Sequence, residues 1–95
     1  MSASFSKKDL NLIEDLASVF FTEKETAIFM KIPWQIFERE IKNENSEIHL
    51  HYYSGWRQSE YALRKLILNS AKAGSTPAQN TMMDIQKKAY SNRLR

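Results

Sequence analysis

The sequence predicts an all-α chain: a three-helix unit over 1–45, followed by a long antiparallel helical hairpin over 46–95. Three observations predict it. Two glycines and two prolines in 95 residues are too few for a protein rich in hairpins and irregular loops. Apolar residues recur at intervals of three and four, the spacing of one helical face. Thr22-Glu23-Lys24-Glu25 and Thr76-Pro77-Ala78-Gln79 both have the form of a capping box, in which a hydroxyl and a carboxylate or amide satisfy the first free N–H groups of a helix.

The elements follow in order. Ser6 opens a first helix of about 7–20, with Asp9 in its first turn and Leu10, Ile13, Leu16, Ala17 and Phe20 on one face. The Thr22 box opens a second helix that runs only to Met30, because Pro33 disfavours helical geometry at Ile32 and lacks an N–H. Pro33 suits the first turn of a third helix, through Trp34, Ile36, Phe37 and Ile41, which fades in the polar run Asn43-Glu44-Asn45. Residues 43–46 are the one linker candidate. A long helix starts at Ser46, with Ile48, Tyr52, Ser59, Leu63, Leu66 and Ser70 along one face and Leu50, Tyr53, Tyr61 and Leu68 along others. Gly74 offers a left-handed stop. Ala78, Met82, Ile85 and Ala89 then form a narrow seam for packing back on the long helix.

Composition sets the bounds. A 95-residue chain with 42% hydrophobic residues buries one modest core or two small ones. Without cysteine there is no disulfide framework and no thiolate zinc site. Lys31 and Pro33 interrupt the most apolar stretch, well short of the roughly 20 residues that cross a bilayer. Residues 1–8 lack a signal-peptide core, so the expected location is intracellular, without membrane contact. His49 and His51 are two apart, which points them to different sides of a helix, so no metal or cofactor is expected. Paired carboxylates in an apolar setting, a glycine-rich phosphate loop and a nucleophile triad are all missing from the sequence, and the expectation is a non-enzyme. The net charge of +3 is uneven: six basic and eight acidic residues in 1–45, against eight basic and three acidic in 46–95.

Residues 22–41 resemble a helix-turn-helix of the kind that sets its second helix into the major groove. Ala27 stands where a small side chain lets two helices approach, Lys31 at the turn position usually held by glycine, and Ile32 at the apolar turn position. Ile36, Phe37 and Ile41 would pin the second helix to the core. The candidate DNA-binding residues are Lys24, Lys31, Trp34, Gln35, Arg39 and Lys42. Glu38 and Glu40 share that helix.

The long helix carries more apolar faces than one partner helix covers, and Leu50, Tyr53, Trp56, Tyr61 and Leu68 are the candidate subunit interface. Gly55-Trp56-Arg57, Ala62-Leu63-Arg64, the run from Ala71 through Gly74-Ser75-Thr76-Pro77 to Gln79, and Met82-Met83 resemble the central region of phage terminase small subunits. With the helix-turn-helix, the likeness covers about 22–90. It implies a subunit that recognises viral double-stranded DNA for genome packaging in the host cytoplasm. The family assembles as a ring through its helical hairpin and works beside a large subunit that carries the chemistry. The residues themselves leave two alternatives open: a small dimeric helix-turn-helix transcriptional regulator, or a protein-binding adaptor that uses the hairpin alone.

Overall fold

In a computed structural model, residues 5–93 are described and form five α-helices with no strand among them: α1 (Lys7–Ser18), α2 (Glu23–Met30), α3 (Trp34–Lys42), α4 (Glu47–Lys72) and α5 (Thr76–Arg93). Residues 1–4 of the N-terminal segment and Leu94-Arg95 of the C-terminal tail lie outside the described residues. No described helix is long and apolar enough to cross a membrane. The chain divides into two compact units, Met1–Ser59 and Glu60–Arg95.

Local hydrogen bonding explains the helices of the first unit. The Ser6 hydroxyl accepts from the N–H of Asp9 at 3.1 Å and starts α1. The helix stops at Ser18, two residues short of the sequence expectation, because Phe20 takes a left-handed conformation (φ 64°). The N–H groups of Phe20 and Phe21 then satisfy the carbonyls of Ala17 and Leu16. Phe20 packs edge-on against Trp56, with ring centroids 5.1 Å apart. At α2 the expected capping box forms: the Thr22 hydroxyl accepts from the Glu25 N–H and the Glu25 carboxylate accepts from the Thr22 N–H.

Lys31 ends α2 in the left-handed region, φ 58° and ψ 37°. The N–H groups of Lys31 and Ile32 close back on the carbonyls of Ile28 and Ala27. Pro33 immediately precedes α3 rather than standing in its first turn, and its carbonyl accepts from both Ile36 and Phe37.

The core consists of Leu10, Ile13 and Ala17 from α1, Ala27 from α2, Phe37 and Ile41 from α3, and Ile48 and Tyr52 from α4. Thus the first unit needs four helices. The sequence boundary at 45 and the linker at 43–46 give way to a capped turn, and the compact unit continues to Ser59. Ser46 is buried there, its hydroxyl donating to the Glu40 carbonyl and accepting from the His49 N–H. Gly55 brings α4 against α1 so closely that a Cβ at this position would stand 2.0 Å from the Glu14 carbonyl oxygen.

In the second unit, Gly74 (φ 102°) ends the helix, with its N–H and that of Ser75 returning to the carbonyls of Ala71 and Ser70. The cap of α5 is Ser75 rather than Thr76: its hydroxyl accepts from the Ala78 N–H, and the Gln79 amide donates to the Ala71 carbonyl instead of capping its own helix. Ile67, Leu68 and Ala71 on α4 are half-buried, as are Ala78, Met82 and Ile85 on α5. None of residues 60–92 is fully buried.

The close approach at Gly55 leads to a first prediction. In Gly55→Ala the new methyl meets backbone, which cannot rotate away, so α4 must shift from α1; overpacking of this kind costs about 1–3 kcal/mol. Urea unfolding of the variant should show that loss, and an unchanged midpoint would mean that α1 and α4 approach less closely than described.

Candidate nucleic-acid interface

The candidate site is built on α3. Its inner side is fixed by Phe37 and Ile41, both buried, while Ile36, expected on the same side, is half-buried and is not among the residues packed against the core cluster. Its outer side carries Gln35, Glu38, Arg39 and Lys42, spaced i, i+3, i+4 and i+7 as one stripe. Gln35, Arg39 and Lys42 are exposed and Glu38 is half-buried. Arg39 lies 3.7 Å from the Glu40 carboxylate, and Lys42 lies 3.7 Å from that of Glu38. The Lys42–Glu38 pair is open to solvent on both sides and holds by no more than about 1 kcal/mol, whereas the Glu40 carboxylate beside Arg39 is almost fully buried.

Not every sequence candidate stands on that stripe. Trp34 is half-buried and its ring stacks on Phe37 with centroids 6.2 Å apart and planes 23° apart, because position 34 shares the inner face with 37 and 41. Lys24 on α2 is exposed and its ammonium stands 5.9 Å from the Trp34 ring centroid. Lys31 is exposed at the turn. Glu40 turns inward, 5% exposed. A cleft of about 340 Å³ opens beside the stripe, lined among others by Trp34, Tyr53, Lys42 and the carboxylates of Glu23, Glu38 and Glu44. Its acidic wall limits how much phosphate charge this side of α3 accepts.

The candidate interface residues separate in the same way. Tyr53 is half-buried, donates to the Glu23 carboxylate at 3.2 Å and packs against His49 and Tyr52. Trp56 is half-buried against Phe20, with the Arg57 guanidinium 5.6 Å from its ring. Both are committed to the packing of the first unit. Leu50 and Tyr61 are exposed, and Leu68 is half-buried in the second unit. Two residues that helical spacing assigns to a buried face, Leu63 and Leu66, are 48% and 65% exposed. On α2, Ile28 and Phe29 are also exposed. Periodicity marked Leu63 and Leu66 without saying which face finds cover inside the chain; Ile28 and Phe29 were not singled out in the sequence, where their one signal is apolar character.

The histidines have separate structural partners. His49 Nδ1 lies 2.6 Å from the Ile41 carbonyl, and His51 Nδ1 lies 3.2 Å from the Glu14 carboxylate. Among the described residues, no group of three or more His, Cys, Asp or Glu side chains gathers as a metal site. Neither a family model, nor a curated protein, nor a solved structure matches the chain.

Below α3, Tyr52 donates from its hydroxyl to the Phe21 carbonyl at 2.6 Å. Burial, reinforced by the charge of Glu23, pushes its pKa up to about 12. The pKa of the Tyr53 hydroxyl is raised by the same two causes and by its bond to Glu23. A neutral tyrosine favoured by the fold gives stability that is full below pH 10, the unfolded value, and is lost as pH climbs towards 12. Stability should therefore fall across that alkaline window in wild type. Tyr52→Phe should flatten much of the fall and cost about 1–3 kcal/mol at neutral pH by leaving the Phe21 carbonyl without its donor. An alkaline limb identical in the two proteins would remove Tyr52 as its source.

Proposed function

We propose that the chain is a DNA-recognition subunit that acts as a homo-oligomer, the reading implied by its resemblance to phage terminase small subunits. In this reading α2, the Lys31 turn and α3 are a helix-turn-helix, with Gln35, Arg39 and Lys42 directed at duplex DNA. The end of α4 and α5 form an antiparallel hairpin through which copies assemble as a ring. The chemistry of packaging then belongs to a large subunit, and this chain supplies recognition.

The observation that carries the DNA half is the joint between α2 and α3. Lys31 accepts a left-handed conformation that costs a non-glycine residue about 1 kcal/mol, and two backbone hydrogen bonds with buried Ala27, Phe37 and Ile41 hold it there. The result is a short helix, a tight turn and a second short helix whose free stripe is polar and bears two cations. Their carboxylate partners keep each copy weak, so useful affinity comes from several copies on one duplex.

Assembly draws its support from the second unit. Residues 60–92 contain no fully buried side chain, while Leu63 and Leu66 stand exposed. A pair of helices that buries this little has marginal stability alone. In this reading a second copy sits on the shallow groove of about 370 Å³ lined by Leu66, Ile67, Pro77 and Ala78 together with Ser70, Ser75 and Thr81.

Two measurements test the reading. Arg39→Glu with Lys42→Glu should lower affinity for duplex DNA at least about tenfold, since two attractions become repulsions; a folded double variant that binds like wild type would mean that α3 does not face DNA. Leu63→Glu with Leu66→Glu should dissociate the oligomer in sedimentation, because each interface would bury unpaired carboxylates. A wild-type protein that is already monomeric would end the assembly half, and a stable dimer would favour a transcriptional regulator over a packaging ring.

A further inference from the structure

Charge is divided between the two units against the expectation for a protein that holds DNA by its first helices. Residues 1–59 carry seven basic and nine acidic side chains, net −2, whereas 60–95 carry seven basic and two acidic, net +5. In the first unit both cations of the α3 stripe are paired with carboxylates, and Glu23, Glu38 and Glu44 line the cleft beside it. That unit attracts a polyanion poorly. In the second unit Arg64 pairs with the Glu60 carboxylate at 3.3 Å. Lys65, Lys72, Lys87 and Lys88 are exposed, with the Lys65 ammonium 5.9 Å from the Tyr61 ring centroid.

We infer that the exposed lysines of the second unit, Lys72, Lys87 and Lys88 with Lys65, form a phosphate-binding surface for duplex DNA that supplies most of the salt-dependent affinity. The inference rests on the DNA reading and locates its electrostatic term. Lys65 and Lys72 are seven residues apart and so share one side of α4. Lys87 and Lys88 lie about three turns into α5, on the order of 16 Å from its start. Cations spread over that length meet several successive phosphates of a duplex, which carries one charge per roughly 1.7 Å of axis. Lysine suits this task, because a flexible ammonium follows a phosphate chain without demanding one geometry. Lys72 also stands in the last turn of α4, where its charge complements the helix end. Lys87 and Lys88 stand three and four residues beyond Asp84, whose single carboxylate offsets at most one of their two charges. Asp84 is the one acidic residue of α5.

The division of labour is then phosphates for the second unit and base edges for α3. Hydrogen bonds to phosphate position a protein and carry no sequence information, whereas side chains such as Gln35 and Arg39 read groove edges.

The test titrates the full-length protein against a fixed duplex at several salt concentrations. Four proteins are compared: wild type, the triple variant Lys72→Gln/Lys87→Gln/Lys88→Gln, its counterpart with arginine at the same three positions, and the α3 variant Arg39→Gln/Lys42→Gln. Removing one cation from a phosphate lowers the slope of log affinity against log salt by about 0.9. The glutamine triple should therefore lose about 2.7 in slope per bound subunit, more than the roughly 1.8 of the α3 variant. The arginine triple should keep the wild-type slope. Sedimentation and thermal unfolding of the same samples report assembly and folding, which three exposed lysines should not disturb. A glutamine triple with the wild-type slope overturns the inference and leaves the DNA reading standing. So does a triple that loses assembly, since its lysines then belong to the subunit interface. A wild-type protein that binds no duplex overturns both.

Discussion

Backbone meets backbone where Gly55 of α4 lies against Glu14 of α1, and the first unit depends on that approach. Three short helices leave an open core: α2 spans eight residues and α3 nine, each below the length at which a helix holds itself in water. The first turns of α4 close it by adding Ile48 and Tyr52 to the cluster around Ile13 and Phe37. Polar groups secure the same joint. Tyr52 donates to the Phe21 carbonyl at the end of the α1–α2 turn, His49 reaches the Ile41 carbonyl at the end of α3, and Ser59 donates to the Ser18 carbonyl at the end of α1. Three otherwise unpaired carbonyls near helix ends are thereby satisfied by one helix. α3 is held from below by the element that runs on into the second unit.

This dependence explains what was legible in the sequence. The box at Thr22, the break at Lys31 and Pro33 and the reversal at Gly74 are written in residues within four positions of one another, because caps and left-handed stops are local hydrogen-bond chemistry. The unit boundary is not local. Asn43-Glu44-Asn45 has the composition of a linker, yet Asn43 takes the Asn45 N–H and Ser46 bonds across to Glu40, making a fixed corner. The decision lies with Gly55, whose missing side chain matters only once α1 is beside it.

Faces were harder to assign than elements. The stripe of Gln35, Arg39 and Lys42 followed from helical spacing, but Trp34 did not, since an indole at the first position of a helix fits an inward or an outward reading until Phe37 is placed beneath it. On α4 the difficulty was greater. Apolar residues stand on several sides, and periodicity ranks none of them. Tyr53 and Trp56 find cover within the first unit, while Leu63 and Leu66 do not.

The two halves of the chain thus differ in how they meet the entropy of folding. The first satisfies a core of eight buried apolar residues and leaves a near-neutral helix stripe free. The second buries none of residues 60–92 completely and carries the positive charge. A helical pair of this kind would gain most from surfaces outside itself; in the proposed reading its leucines are offered to another copy and its lysines to a polyanion. On that reading, assembly would gather lysines whose mutual repulsion weakens a ring of subunits, and a duplex that neutralised them would remove that cost. In the proposed reading, DNA and subunits are therefore linked partners, each favouring the binding of the other through the charge of the second unit.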